Sequence, residues 1–410
     1  MAKLKKLSVR LHGGIEIGFL EETATGKMRF RYNENPELQL SLSLPVRKEV
    51  YSEKECRGYF GGLLPENIHT RKILAKQHKI SENNDFALLR AIGKECAGAV
   101  SFCEPGEDLI LEYNTEMHCR PYSPEGLVKL LENLPTKPFD GHRMSLAGAQ
   151  LKTSICVVNG KVAKPLGDTF TTHIIKPPML YKNSVQNEYI CMKTAKKAGL
   201  NVAEAEARKV KDFEFLLIER FDRINGYHED YEIILRKHQE DFAQASGVFA
   251  ENKYNFSFQD CLKILNQLTS PAKDKEQFFK CAIYNFLIGN TDAHAKNFSL
   301  FLARNYKGIT PFYDLLCTEV YDLDNDMAMK IGNAKYAKDV TKKDWEIFAS
   351  DLDIKPKVVF DEIKRQIEIL PNALLNSIEE VDETFGYRCN IGPKIVEYVN
   401  KNIKNTLKYL

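Results

Sequence analysis

The sequence predicts an α+β chain in three parts: a small β-rich module, a strand-rich lobe broken by one helix, and a helical lobe. Three observations carry this. Residues 4–50 fall into short runs in which apolar and polar residues alternate, the period of a half-buried strand. Strand-like runs return beyond residue 150, with one helical pattern among them. From about residue 240 the apolar spacing turns mostly helical, up to the amphipathic end "PKIVEYVNKNIKNTLKYL".

In chain order, "KLSVRL", "IEIGFLE", "MRFRY" and "LQLSLSLP" predict short antiparallel strands with turn residues between them. "YFGGLLPENIHTRKILAKQHKI" shifts to helical spacing, with Leu63, Leu64, Ile68 and Ile73 in step. "DFALLRAIGKECAGAVSF" predicts a helix ending near Gly93, then a strand of small residues. "SPEGLVKLLENLP" opens with Ser-Pro-Glu, a strong helix start. "KTSICVV", "THIIKPP", "EARKV" and "FEFLLIERFD" predict strands, interrupted by the helix "NEYICMKTAKKAGL". The division that follows is 1–104, 105–235 and 236–410.

With 58 basic and 56 acidic side chains the formal charge is +2, which gives no global case for nucleic-acid binding. The ten cysteines are scattered, without the CxxC spacing of a zinc site or a clustered disulfide framework, and free thiols fit a reducing cytosol. "MAKLKKLSVRLHGG" lacks an apolar signal core, and no apolar run approaches a membrane span, so a cytoplasmic protein is expected.

The chemistry concentrates in "FLIGNTDAHAKNFSLF". A buried-looking helix, "KEQFFKCAIYNFLIG", precedes the polar cluster and a buried-looking strand, "FSLFL", follows it. Polar groups on so tight a connection are held stiffly, as catalysis requires. Asp292 and Asn297 are five apart, the spacing of the catalytic-loop Asp and metal-binding Asn of protein kinases. There the Asp accepts the hydroxyl proton and the Asn reaches Mg²⁺. Asp314, after the apolar strand expected at "ITPFY", is the candidate second carboxylate for metal. A lone D-x-x-x-x-N recurs by chance, so the order of the other motifs carries the weight. His294 has no second histidine near it and is expected to support the loop through hydrogen bonds. Lys296 either steadies the transferring phosphate or faces solvent. The run Asp322, Asp324, Asp326 lacks the glycine and distal glutamate of a calcium loop and is expected to be a solvated turn.

A nucleotide also needs phosphate contacts. "MSLAGAQLKTS" is small and flexible; Ala147, Gly148 and Ala149 let backbone amides approach a phosphate, and Lys152 adds a charge. No Walker A pattern is present. Lys176 ends the strand "THIIKPP", and Glu188 lies on the next helix, the lysine–glutamate pair of a kinase. "FLLIERFDR" then stands where a hinge to the adenine would lie. Small-residue loop, strand lysine, helix glutamate, hinge, Asp–Asn loop and metal Asp follow one another in kinase order.

The segments "YFGGLLPE", "SLAGAQLKTS", "THIIKPP", "LLIERFDR", "HQEDFAQASG", "GNTDAHAKNFSLF", "PFYDLLCT" and "MAMKIG" together resemble the HipA-type serine/threonine kinases, toxins of bacterial toxin–antitoxin pairs, over nearly the whole chain. The resemblance implies a two-lobed protein-kinase-like fold with an additional N-terminal module. It implies Asp292 as catalytic base, Asn297 and Asp314 as Mg²⁺ ligands, and Lys176 as a phosphate contact for ATP. Lys152 and the backbone of Ala147 to Gln150 would line the phosphates, with His294 and Lys296 in the same nucleotide-facing set. Glu219 and Phe221 would hold the adenine. Ser145 stands where the family carries an autophosphorylated serine; a charge of roughly −1.5 to −2 there would repel the ATP phosphates. The implied partners are a HipB-like helix-turn-helix antitoxin, DNA through that antitoxin only, and an aminoacyl-tRNA synthetase substrate, glutamyl-tRNA synthetase first. Ala293 departs from the family's usual Gly, and Cys317 and Thr318 follow Asp314 where serine is usual. A small-molecule kinase and an antitoxin-binding co-repressor are the alternatives.

Overall fold

The computed structural model describes residues 5–12, 14–107, 118–134, 150–167, 169–228 and 231–410. Strands β1 (Lys5–Leu11), β2 (Ile15–Glu22) and β3 (Met28–Tyr32) form an antiparallel meander. Leu7, Val9 and Leu11 of β1 alternate onto the face that helices cover. Those helices are α1 (Glu53–Gly62), α2 (Ile68–His78) and α3 (Asp85–Ile92). α1 opens with the reciprocal Ser52–Glu55 capping box, and the Asn67 and Asn84 side chains accept from backbone amides at the starts of α2 and α3. α3 stops at Gly93, as its sequence predicts, and β4 (Ser101–Cys103) then pairs with the open edge of β1.

The expected strand "LQLSLSLP" does not form. Residues 39–45 hold only an isolated Ser41–Leu44 bridge. Leu40 and Leu44 are buried as the alternation demands. The polar groups between them bond across to a distant segment instead of along a sheet: Leu42 N–H and Ser41 Oγ both donate to Glu240, and Ser43 Oγ donates to the Gln244 carbonyl.

The second part contains β5 (Cys119–Pro121), α4 (Pro124–Asn133), β6 (Thr153–Val158), β7 (Lys161–Pro165), β8 (His173–Lys176), α5 (Ser184–Lys197), β9 (Ala205–Val210) and β10 (Phe213–Glu219). Its six strands form one antiparallel sheet in the order β5-β7-β6-β8-β10-β9. β8 thus lies inside the sheet, and Lys176 stands at its end with fixed backbone. A hairpin, β11 (Arg223–His228) and β12 (Tyr231–Arg236), follows.

The third part opens with β13 (Gln239–Asp241) and the short α6 (Phe242–Ala245), then α7 (Phe258–Leu265) and α8 (Pro271–Ile288). Strands β14 (Ser299–Ala303) and β15 (Tyr306–Ile309) complete a small antiparallel sheet with β13. Helices α9 (Lys342–Asp351), α10 (Pro356–Phe385) and α11 (Ile391–Thr406) close the fold. α8 runs through the main core: Phe278, Ile283, Tyr284 and Leu287 are wholly buried, with Phe298, Trp345 and Phe348 in the same cluster. Of the predicted strand at "ITPFY", Ile309 ends β15 and the rest forms only a single bridge, from Phe312 to Val202. Pro311 has no N–H to give a ladder there. All ten cysteines are buried free thiols, and no described helix is long and apolar enough to cross a membrane.

The N-terminal module is joined to the rest by buried ionic groups. Glu95, just after α3, accepts from Arg220 at 3.1 Å, Arg223 at 2.8 Å and the Thr171 hydroxyl at 2.9 Å through one oxygen. Asp222 accepts from Gly98 N–H at 2.6 Å and from Arg220. Arg236 donates to Ser101 Oγ at 2.6 Å and to the Val100 carbonyl at 2.7 Å. Burial alone would raise the Glu95 carboxyl, but Arg220 and Arg223 hold it below its ordinary range. Arg220 and Asp222 flank Phe221, so this network lies beside the predicted hinge.

Candidate active site

The loop "GNTDAHAKN" is fixed from both ends. α8 ends at Gly289 with φ +80°, and a Cβ there would lie 2.4 Å from the Tyr398 ring, so both conformation and space require glycine. Thr318 Oγ donates to the Gly289 carbonyl at 3.0 Å and accepts from Thr291 N–H at 2.9 Å. Asn290 Nδ2 donates to Asn285 Oδ1 at 3.0 Å and to the Asp314 carbonyl at 3.3 Å. Inside the loop, Asn297 Nδ2 donates to the Asp292 carbonyl at 3.1 Å. The two predicted residues are therefore locked together, and the atom Asn297 has left for a cation is its amide oxygen.

Opposite the loop stands Lys176, almost wholly buried. Its ammonium donates to Glu188 Oε1 on α5 at 2.6 Å and also to Asp314 Oδ1. One cation thus joins β8, α5 and the segment after β15. Burial alone would lower the Lys176 pKa, and Asp314 and Glu188 together keep it well above the ordinary value. Burial alone would raise the Asp314 carboxyl, but Lys176 and Lys152 hold it well below. For Glu188 burial wins and its pKa is raised. Asp314 sits at φ +55°, an uncommon conformation for a non-glycine residue but one Asp tolerates.

These groups face a cleft of about 520 Å³, which Gln150, Lys152, Lys176, Phe221, Asp292 and Asn297 line in part. Phe221 packs edge-on to Phe301 at 5.9 Å and lies 5.8 Å from the Tyr313 ring. Glu219, exposed, is at the cleft through β10, its N–H donating to the Glu204 carbonyl. Lys152, half-buried in the cleft, has a lowered pKa, desolvation first and Lys176 adding to it, while Asp314 opposes. Ser145, Ala147, Gly148 and Ala149 lie outside the described residues.

Burial raises the Asp292 carboxyl above its ordinary value, against the opposing pull of the Tyr254 hydroxyl and Lys253. A raised but exposed-side carboxylate is suited to accepting a proton. Burial excludes one of the two alternatives for Lys296, and His294 differs from expectation. Lys296 does not face solvent: it is buried, donating to Asp241 at 2.7 Å and to the Gly62 carbonyl at 3.1 Å. A buried ammonium requires such partners, and they come from residues far away in sequence. His294 supports the loop by backbone bonds and ring packing rather than by side-chain hydrogen bonds to it. Its Nδ1 has no partner among the described residues, its ring meets Tyr254 edge-on, and burial lowers its pKa to about 4. Two contributors escaped the sequence motifs: Tyr254 and Lys253. Gly62 and Glu66, within "YFGGLLPE", and Asp241, within "HQEDF", lie in segments that the family resemblance marks.

A family model described as the HipA-like C-terminal domain matches residues 144–379, and one described as the HipA N-terminal domain matches residues 7–103. The chain belongs to the HipA family. The serine/threonine-protein kinase toxin HipA of Shewanella oneidensis is 30% identical over 404 residues, 92% of this chain and 91% of that protein. A putative kinase of Sinorhizobium fredii, Y4mE, is 35% identical over 386 residues, 90% of this chain and 91% of that one. The solved complex of S. oneidensis MR-1 HipA with HipB and operator DNA superimposes with a TM-score of 0.84 at 26% identity, covering 98% of each chain. Within the HipA family this chain is an α+β enzyme of the serine/threonine kinase class.

Proposed function

We propose that the chain transfers the γ-phosphoryl group of ATP to a serine or threonine hydroxyl of a protein. The observation that carries this is the single cleft in which Lys176, held by Glu188 and Asp314, faces the Asp292–Asn297 loop. Lys176 and Lys152 bind and orient the triphosphate, Phe221 and Glu219 hold the adenine, and Asp292 takes the acceptor's proton. The acceptor oxygen bonds to the γ-phosphorus as its bond to the β–γ bridging oxygen breaks, and ADP leaves. The donors Asn297 and Asp314 are oxygen ligands of the kind a hard cation takes, and they fit Mg²⁺. Mg²⁺ bound there would neutralise charge developing on the phosphates. Excluding water and aligning the reactants supply the rest.

On this reading residues 1–104 form the added module, 105–235 the kinase N-lobe and 236–410 the C-lobe. The target is an aminoacyl-tRNA synthetase, glutamyl-tRNA synthetase first, whose phosphorylation halts translation. Autophosphorylation of Ser145 and a HipB-like antitoxin silence the enzyme. The likeness to a HipA solved with HipB and operator DNA supports the antitoxin and contact with DNA through it. Mass spectrometry of cell extract incubated with the purified chain and Mg-ATP tests the target. A new phosphoserine or phosphothreonine on a synthetase is expected; phosphate found only on free metabolites would make this a small-molecule kinase.

A further inference from the structure

Asp292 has a partner that belongs neither to the loop nor to the nucleotide cleft. Tyr254 lies between α6 and α7, and its hydroxyl donates to Asp292 Oδ1 at 2.9 Å. The ring stands edge-on to His294, centroids 5.3 Å apart. Tyr254 is 52% exposed and lines a second, open groove of about 940 Å³, which shares Asp292 with the nucleotide cleft. Tyr254 therefore reaches the base from the second groove, an open surface on which an acceptor hydroxyl could arrive.

A carboxylate turns easily about its last torsion. A base has to present one oxygen in one direction, and a donor fixed on the other oxygen enforces that. The support for Tyr254 continues outward. Lys253 Nζ lies 5.2 Å from the Tyr254 ring centroid and 2.9 Å from Glu66 Oε2. Glu66 belongs to the N-terminal module, four residues beyond the end of α1, and its other oxygen is 3.8 Å from Lys296 of the catalytic loop. Glu66 and Lys253 are both largely buried, so this ion pair is shielded from solvent.

We propose that Tyr254 is a positioning residue that holds Oδ1 of Asp292 and leaves Oδ2 for the acceptor hydroxyl, and that Glu66 of the N-terminal module holds Tyr254 through Lys253. The added module then acts in catalysis, not only in stability. The proposal rests on Asp292 being the base, so the test separates the two.

The full chain is mixed with γ-labelled ATP and Mg²⁺, and the first-order rate of phosphate incorporation is followed across ATP concentrations. In Tyr254→Phe the rate at saturating ATP is expected to fall about tenfold, with half-saturating ATP unchanged. In Glu66→Gln it is expected to fall about threefold, and the double variant to be no slower than Tyr254→Phe alone. A Tyr254→Phe rate equal to the parent's overturns the positioning role. A faster rate overturns it too and makes Tyr254 a plug in the acceptor site. Effects that multiply in the double variant overturn the route from Glu66 through Tyr254. An Asp292→Asn protein as active as the parent, or a parent that incorporates no phosphate, contradicts the base assignment instead.

Discussion

Glu95→Ala is expected to destabilise the chain by about 3–5 kcal/mol, the effect of removing one partner from a buried ion pair. The glutamate oxygen receives Arg220, Arg223 and Thr171 together. Without it Arg220 and Arg223 keep only the carboxylate of Asp222, and buried Arg236 loses its nearby opposite charge. Arg223 Nε already has no hydrogen-bond partner among the described residues, so no spare acceptor is at hand. Burial, with Arg223 adding its repulsion, has already lowered the Arg236 pKa to about 9. The loss is measured as a shift of the first unfolding transition in urea. Because Arg220 and Asp222 flank Phe221, nucleotide binding is expected to weaken alongside. A change under about 1 kcal/mol would mean that water or another acceptor takes over the arginines.

Lys176→Met is expected to lower phosphoryl transfer by about 10²–10³-fold, the usual effect of removing one preorganised charge donor. Methionine fills the stem's volume, so packing is largely kept. What disappears is the cation between Glu188 and Asp314. The buried Glu188 and half-buried Asp314 carboxylates then repel one another and the incoming triphosphate. Calorimetric titration with Mg-ATP is expected to show weakened binding as well as slow turnover. Turnover within threefold of the parent would mean that Lys152, also in the cleft, is the phosphate contact that matters.

Much of the fold was legible because local pattern and burial agree. The apolar runs before and after Asp292 become α8 and β14, and the polar residues between them have nowhere to lie but a tight loop. The lysine at the end of β8 and the glutamate on α5 meet because α5 packs on β9 and β10, and β10 is the neighbour of β8 in the sheet. The failures share a cause, which is contact with residues remote in sequence. "LQLSLSLP" has a strand's alternation, yet its hydroxyls and amides answer Glu240, about two hundred residues away. "ITPFY" has a strand's composition, yet Pro311 interrupts the ladder. Lys296 could not be placed from its neighbours, since Asp241 and Gly62 define its environment. Tyr254 carries no motif at all; only the fold brings its hydroxyl to Asp292.

On the proposed reading one cleft, with Asp292 as its base, transfers the γ-phosphoryl group of ATP. The most direct measurement is incubation of the purified chain with Mg²⁺ and ATP labelled at either the γ or the α position, beside the Asp292→Asn variant. Covalent label is expected from the γ position alone, with a rate in the variant lower by about 10²–10⁴-fold. Label from the γ position that enters Asp292→Asn as fast as the parent would contradict it.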